Sequence, residues 1–175
     1  DITYIDTGEG CCYLHLVTDA YSHKIIGWCL SETLHAAYTL KALRMAIESA
    51  EQESLNGLIH HSDRGVQYCC NDYVFELNKY QISISMCEDY NPTDNAIAER
   101  VNGILKSEVI YRRKQFKDYD EALSCLTSFI QFYNEKRPHS SIGYKVPSVA
   151  HLETGAQVQK WRKAEEKRSR GLSAP

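Results

Sequence analysis

The chain has 175 residues, 43% hydrophobic and 25% charged, the balance of an ordinary globular domain with a sizeable core. No apolar run reaches the roughly 18 residues that cross a bilayer, and no signal-peptide pattern opens the chain, so no membrane role and a cytoplasmic location are expected. The formal net charge of −3 hides a division, because residues 1–100 carry 6 Lys/Arg against 15 Asp/Glu while residues 101–175 carry 14 against 8. A basic half of this kind suits a polyanionic partner, since phosphate contacts come from Lys and Arg.

In chain order, residues 2–5 and 11–18 are rich in β-branched and aromatic side chains, and the turn Gly8-Glu9-Gly10 joins them as a hairpin. Residues 24–31 read as a third strand after a turn at 19–23, where Asp19 is expected to cap the turn with Ser22. Residues 34–52 change to helical spacing, with Leu40, Leu43, Ala46, Ile47 and Ala50 on one face. A short buried strand is expected at 58–61, ending at Ser62-Asp63. A helix follows over 71–80 with Asn71 or Asp72 as its cap, and then an alternating strand over 82–86. Two further helices are expected, from Thr93 or Asp94 to Ile110 and from Tyr119 to Glu135, the second stopped by Pro138.

This order predicts an α/β fold, a mixed five-stranded sheet flanked by helices. The ordered domain covers 1–150. Residues 151–175 form a charged tail that has lost apolar periodicity from about Trp161 and is expected to be partly disordered. The chain opens inside a strand pattern without a methionine, so a segment preceding Asp1 is expected. The seven cysteines include two adjacent pairs, Cys11-Cys12 and Cys69-Cys70, and no Cys-x-x-Cys, so they read as reduced small hydrophobes.

The chemistry-bearing residues are acidic. Asp1 opens the first strand, Asp63 stands just beyond the fourth, and Glu99 lies within the helix that starts near 94. Carboxylates at strand ends and on a facing helix suit magnesium, which prefers oxygen ligands and takes only a few from the protein. Lys106 is two helical turns after Glu99, with Asn102 between them, so a metal ligand and a phosphate-binding cation share one face. His60 and His61 beside Asp63 are expected to pack or orient rather than act as a base, and Trp28 to sit in the core.

The segments D-I-T-Y-I, H-S-D-R-G-V-Q-Y, N-P-T-D-N-A-I-A-E, Lys106 and N-E-K-R-P-H-S-S-I-G-Y-K-V-P resemble the DDE-type catalytic core of bacterial insertion-sequence transposases, relatives of retroviral integrases. The resemblance covers about residues 1–150 and includes the 35 residues that separate Asp63 from Glu99. It implies an RNase H-like fold and a site in which Asp1, Asp63 and Glu99 bind two Mg²⁺ or Mn²⁺ ions. Water would cut a DNA strand to expose a 3′-hydroxyl, which then attacks a target phosphodiester. Lys106 would contact phosphates near the scissile bond, with Asn102, Arg100, Arg137 and His139 as further DNA contacts. The implied partners are transposon-end and target DNA, held by a multimer. Two alternatives remain open: an RNase H-like nuclease, and an inactive remnant that only binds DNA or another subunit.

Overall fold

A computed structural model describes residues 1–50, 55–87, 95–113 and 115–157. Among these residues there are five strands. β1 (Ile2–Thr7), β2 (Gly10–Thr18) and β3 (Ile25–Ser31) form an antiparallel meander in that order. β4 (Ile59–Ser62) pairs in parallel with β5 (Ser83–Met86) as a separate ladder, and no ladder joins β1 to β4 among the described residues. The five strands expected are therefore divided three and two.

The β1–β2 hairpin turns through Gly10, whose φ of 137° lies where side chains are strained. Thr7 and Gly10 close it as partners, and the Thr7 hydroxyl donates to the Gly10 carbonyl at 2.7 Å.

Side chains alternate across the meander with a period of two. Cys12, Leu14 and Leu16 of β2 join a core with Ile5, Val101, Leu105, Leu126 and Tyr133. Between them, His15 faces the opposite way and meets Thr39 of α1 (Ala36–Glu48) at 2.8 Å through Nδ1 and Ser31 at 3.1 Å through Nε2. Full burial of an aliphatic side chain such as Leu14 contributes about 1.5–3 kcal/mol, so this alternation fixes which face each helix covers. The α1 side is pulled in close at Gly27, where a Cβ would stand 2.1 Å from the Ala42 carbonyl oxygen.

α2 (Val66–Cys69) and α3 (Asn71–Lys79) follow β4, and with α1 they enclose a second core of Leu40, Leu43, Tyr68, Tyr73, Leu77 and Ile82. Cys70, not Asn71 or Asp72, is the cap residue of α3. Asp72 lies in the first turn, where a carboxylate favours the positive end of the helix.

α4 (Ala96–Leu105) is shorter than the helix expected from 94 to 110. Residues 106–110 wind as a π-helical turn instead, closed by the Tyr111 amide donating to the Lys106 carbonyl at 2.8 Å. The expected start at Thr93 or Asp94 lies outside the described residues.

α5 (Tyr119–Glu135) is capped by Asp118, whose carboxylate accepts from the Glu121 amide at 2.9 Å. Asn134 ties its end to the sheet, accepting from the Ile25 amide and donating to the Ile25 carbonyl, both at 2.9 Å. A 3₁₀ turn (Ser140–Ile142) and α6 (Pro147–Ala150) are the last elements among the described residues, two short ones that hydrophobic spacing does not reveal. His151, the first residue of the expected tail, reaches back to Asp19 at 3.1 Å, and residues 158–175 lie outside the described residues.

Candidate active site

Asp1 stands at the head of β1 in antiparallel register with Leu16. Its main-chain nitrogen donates to the Leu16 carbonyl and its carbonyl accepts from the Leu16 amide, both at 2.9 Å. The carboxylate is oriented from two sides: Oδ1 accepts from the Ile2 amide at 2.8 Å, and Oδ2 accepts from Nδ2 of Asn102 at 2.5 Å. Asn102 is buried on α4, so the helix expected to carry the third carboxylate touches the first one directly.

Asp63 follows β4 in an exposed turn, where its Oδ1 accepts from the Gly65 amide at 2.9 Å and orders the entry to α2. Its charge is felt at the head of β1, at the Asp1 main-chain nitrogen. The same charge acts on the buried Tyr68 hydroxyl, whose pKa burial pushes well up.

Glu99 occupies the first turn of α4, one turn before Asn102, and is exposed. Among the described residues, no three His, Cys, Asp or Glu side chains are grouped closely enough to hold one metal ion. Asp63 thus acts on the head of β1 through its charge, and Glu99 lies exposed on the adjoining helix.

A cavity of about 950 Å³ opens beside Asp1, lined among others by Leu16, His60, Ser62, Tyr68 and Asn102. The Tyr68 hydroxyl, the Asn102 Oδ1 and the His60 Nδ1 are buried there without a hydrogen-bond partner among the described residues. Buried polar atoms left unpaired are costly, and such exceptions call for a ligand, water or ion.

The neighbouring histidines divide by burial. Burial lowers His60 to about 4, so its ring is neutral at pH 7, and its Nε2 meets the Tyr73 hydroxyl at 2.9 Å. His61 is exposed and bonds Ser85 at 2.9 Å. Asp19 caps its turn, accepting from the Ser22 amide at 2.9 Å and from the Ser22 hydroxyl.

The residues expected to touch DNA separate in the same way. Arg100 is exposed and Lys106 half-buried on α4 and the turn that follows it. Asn102 is buried against Asp1. His139 is also buried, its ring 4.8 Å from that of Tyr133 and its pKa lowered to about 4 by burial, then by the Arg137 charge. Arg137 is engaged by Glu108, to which its Nε and Nη2 donate at 3.0–3.1 and 2.6 Å. Glu108 was not singled out in the sequence, because a single Glu on a polar helix face carries no signal of its own.

No helix among the described residues is long and apolar enough to cross a membrane. The family described as "Integrase core domain" matches twice, over residues 1–92 and 80–147. The chain is 40% identical over 150 residues to the insertion element IS600 uncharacterized 31 kDa protein of Shigella sonnei, covering 85% of this chain and 54% of that protein. It is 34% identical over 167 residues to a putative transposase for insertion sequence element IS986/IS6110 of Mycobacterium tuberculosis, covering 94% of this chain and 59% of that protein. It therefore spans between half and three-fifths of the length of these curated relatives. Its fold is similar to the HTLV-2 integrase catalytic core domain in complex with magnesium (trimeric form), with a TM-score of 0.66 at 16% identity over 86% of this chain and 92% of that one. By these matches the chain belongs to the integrase core domain family, alongside relatives encoded by bacterial insertion elements.

Proposed function

We propose that this chain is the catalytic core of a DNA transposase, cutting and joining DNA strands with Asp1, Asp63 and Glu99 and the divalent cations they hold, Mg²⁺ or Mn²⁺. The observation that carries the reading is the meeting of Asp1 with Asn102: one helix orients the first carboxylate and bears Glu99 a single turn earlier. The Asp63 charge, felt at the same residue, supports a shared site.

The donor set fits a hard cation, because carboxylate oxygens at two strand ends leave room for the waters and substrate phosphates magnesium retains. When bound, such ions supply activation of a water or 3′-hydroxyl and stabilise the leaving oxygen. The chain's own contribution is positioning. Asn102 and the Ile2 amide hold the Asp1 carboxylate to one orientation, and the Gly65 amide does the same for Asp63. Glu99 is exposed on the first turn of α4, and the proposed site requires its carboxylate to turn toward Asp1 and Asp63. Lys106 is placed to meet a phosphate along the face that Glu99 begins, with Arg100 beside it. The Mycobacterium relative is described as a putative transposase and the HTLV-2 core as a magnesium complex, and both descriptions support this reading. The proposed partners are element-end and target DNA, bound by a multimer.

The outward Glu99 is the one observation that favours a binding-only role. Incubating the chain with labelled duplex DNA and Mn²⁺ and resolving cut and joined strands separates the readings. The proposal expects nicked and strand-joined products that Asp63→Asn and Glu99→Gln both abolish. DNA binding without either product, or products that survive both substitutions, would overturn it. Nicking without joining would assign a nuclease.

A further inference from the structure

The C-terminal segment after α5 grips the helix proposed to carry the site. Arg137 Nε donates to both carboxylate oxygens of Glu108 at 3.1 and 3.0 Å, and its Nη2 donates to Oε1 at 2.6 Å. The remaining arm, Nη1, is 3.5 Å from His139 Nε2. His139 is neutral at pH 7 because burial and the Arg137 charge both lower its pKa, so its ring can accept there. Little of the fork is left to turn outward: the Arg137 side chain is 21% exposed and that of Glu108 29%. A paired, partly buried fork of this kind is worth more than a surface ion pair, and losing one partner leaves the other charge half-buried and alone.

The location gives the pair its meaning. Glu108 sits in the π-helical turn Lys106–Ile110 that directly continues α4, the helix of Glu99 and Asn102. Wide turns of this type are rare, and where they occur they frequently mark functional sites. Here the turn begins at Lys106, whose carbonyl accepts the wide-ring hydrogen bond from Tyr111 at 2.8 Å. The direction of the Lys106 side chain therefore depends on the turn keeping its shape.

We infer that Arg137 is a positioning residue: through Glu108 it locks the π turn that aims Lys106 and steadies the end of the helix bearing Glu99 and Asn102. The inference rests on the proposed function for its catalytic consequence, but the lock itself can be read without activity. It also gives Arg137 a task other than the DNA contact expected of it, because its two best-aligned donors already face a carboxylate.

The test compares Arg137→Gln, Glu108→Gln and the double substitution. A phosphate contact and a positioning pair predict opposite things for Glu108, because a carboxylate cannot itself attract DNA. The inference expects both single variants to slow cleavage at saturating DNA by about tenfold, with the double variant no slower than either. The salt dependence of DNA binding is expected to stay unchanged. In hydrogen exchange, the Tyr111 amide is expected to open faster in both single variants while amides of α5 around Leu126 keep their protection. Should Arg137→Gln prove too unstable to assay, the exchange of partners Glu108→Arg with Arg137→Glu is expected to restore the Tyr111 protection that Glu108→Gln loses. The inference is overturned if Arg137→Gln lowers the slope of log affinity against log salt by about one while Glu108→Gln leaves cleavage intact, the pattern of a phosphate contact. It is overturned equally if Tyr111 exchange is the same in all three variants. A chain without cleavage activity whose Tyr111 protection still depends on both residues would contradict the proposed function and leave the lock standing.

Discussion

Asn102 donates its side-chain amide to the Asp1 carboxylate at 2.5 Å, joining two residues that are 101 positions apart in the chain. The bond ties α4 to the head of β1, and in the proposed site it sets how far Glu99 must swing to join Asp1 and Asp63. Outer partners that orient a metal-binding carboxylate typically carry 10–100-fold of metal affinity or activity.

Substituting Asn102 with Ala is therefore expected to weaken Mn²⁺ binding and slow strand cleavage by about 10–100-fold while the far-ultraviolet spectrum stays native. Calorimetric titration beside a cleavage time course checks this. Full metal affinity in Asn102→Ala would mean that the bond holds the fold and not the site.

Two glycines should respond in opposite directions to the same substitution. At Gly27 a methyl group would meet the Ala42 carbonyl oxygen at 2.1 Å and the Ala46 Cβ at 2.9 Å, both parts of a packed helix. Gly27→Ala is expected to cost about 1–3 kcal/mol, lowering Tm by several degrees. Gly103 on the exposed side of α4 has nothing within 4 Å of the added carbon, so Gly103→Ala is expected to stabilise by roughly 0.5–1 kcal/mol. Thermal unfolding of the two variants reads both signs, and the same sign in both would refute the close approach of α1 to β3.

Stability should fall on mild acidification. Burial lowers His15 and His139 to about 4 in the folded chain, against about 6.5 when unfolded. Between those values the unfolded state binds protons that the folded state does not, so folding weakens as pH falls from about 6.5 to 4. Glu76 and Glu108 act in a lower window: their arginine partners hold them below the ordinary carboxylate range, so their contribution is lost only under stronger acid. Tm is expected to drop on the order of 5 °C or more between pH 7 and pH 4.5. A flat profile over that range would show that neither histidine is buried as described.

Much of this architecture is legible in the residues alone. The β-branched and aromatic residues of 2–5 and 11–18 on either side of Gly8-Glu9-Gly10 anticipate the hairpin of β1 and β2, because such side chains suit a pleated strand and glycine the turn. Asp63 and Glu99 can be picked out because their flanking residues and separation form a pattern that a lone carboxylate lacks. Other features depend on contacts that no local pattern encodes. The helix expected to run to Ile110 gives way to a π turn at Lys106–Ile110, and the apolar spacing of Val101, Ile104, Leu105 and Val109 does not mark where the winding changes. Asn102 reads as an exposed polar residue sharing a face with Lys106, yet it is buried, because its partner comes from the far end of the chain. Helical spacing says which residues share a face and not what covers it.

The most direct test of the three-carboxylate site is a calorimetric titration of Mn²⁺ into this chain and into Asp1→Asn, Asp63→Asn and Glu99→Gln, with DNA present so that Glu99 has a reason to turn inward. The account predicts saturable binding to the unaltered chain that is lost or weakened at least tenfold in each of the three variants, with Asn102→Ala intermediate. Binding of equal strength in all of them, or none to the unaltered chain, would contradict it.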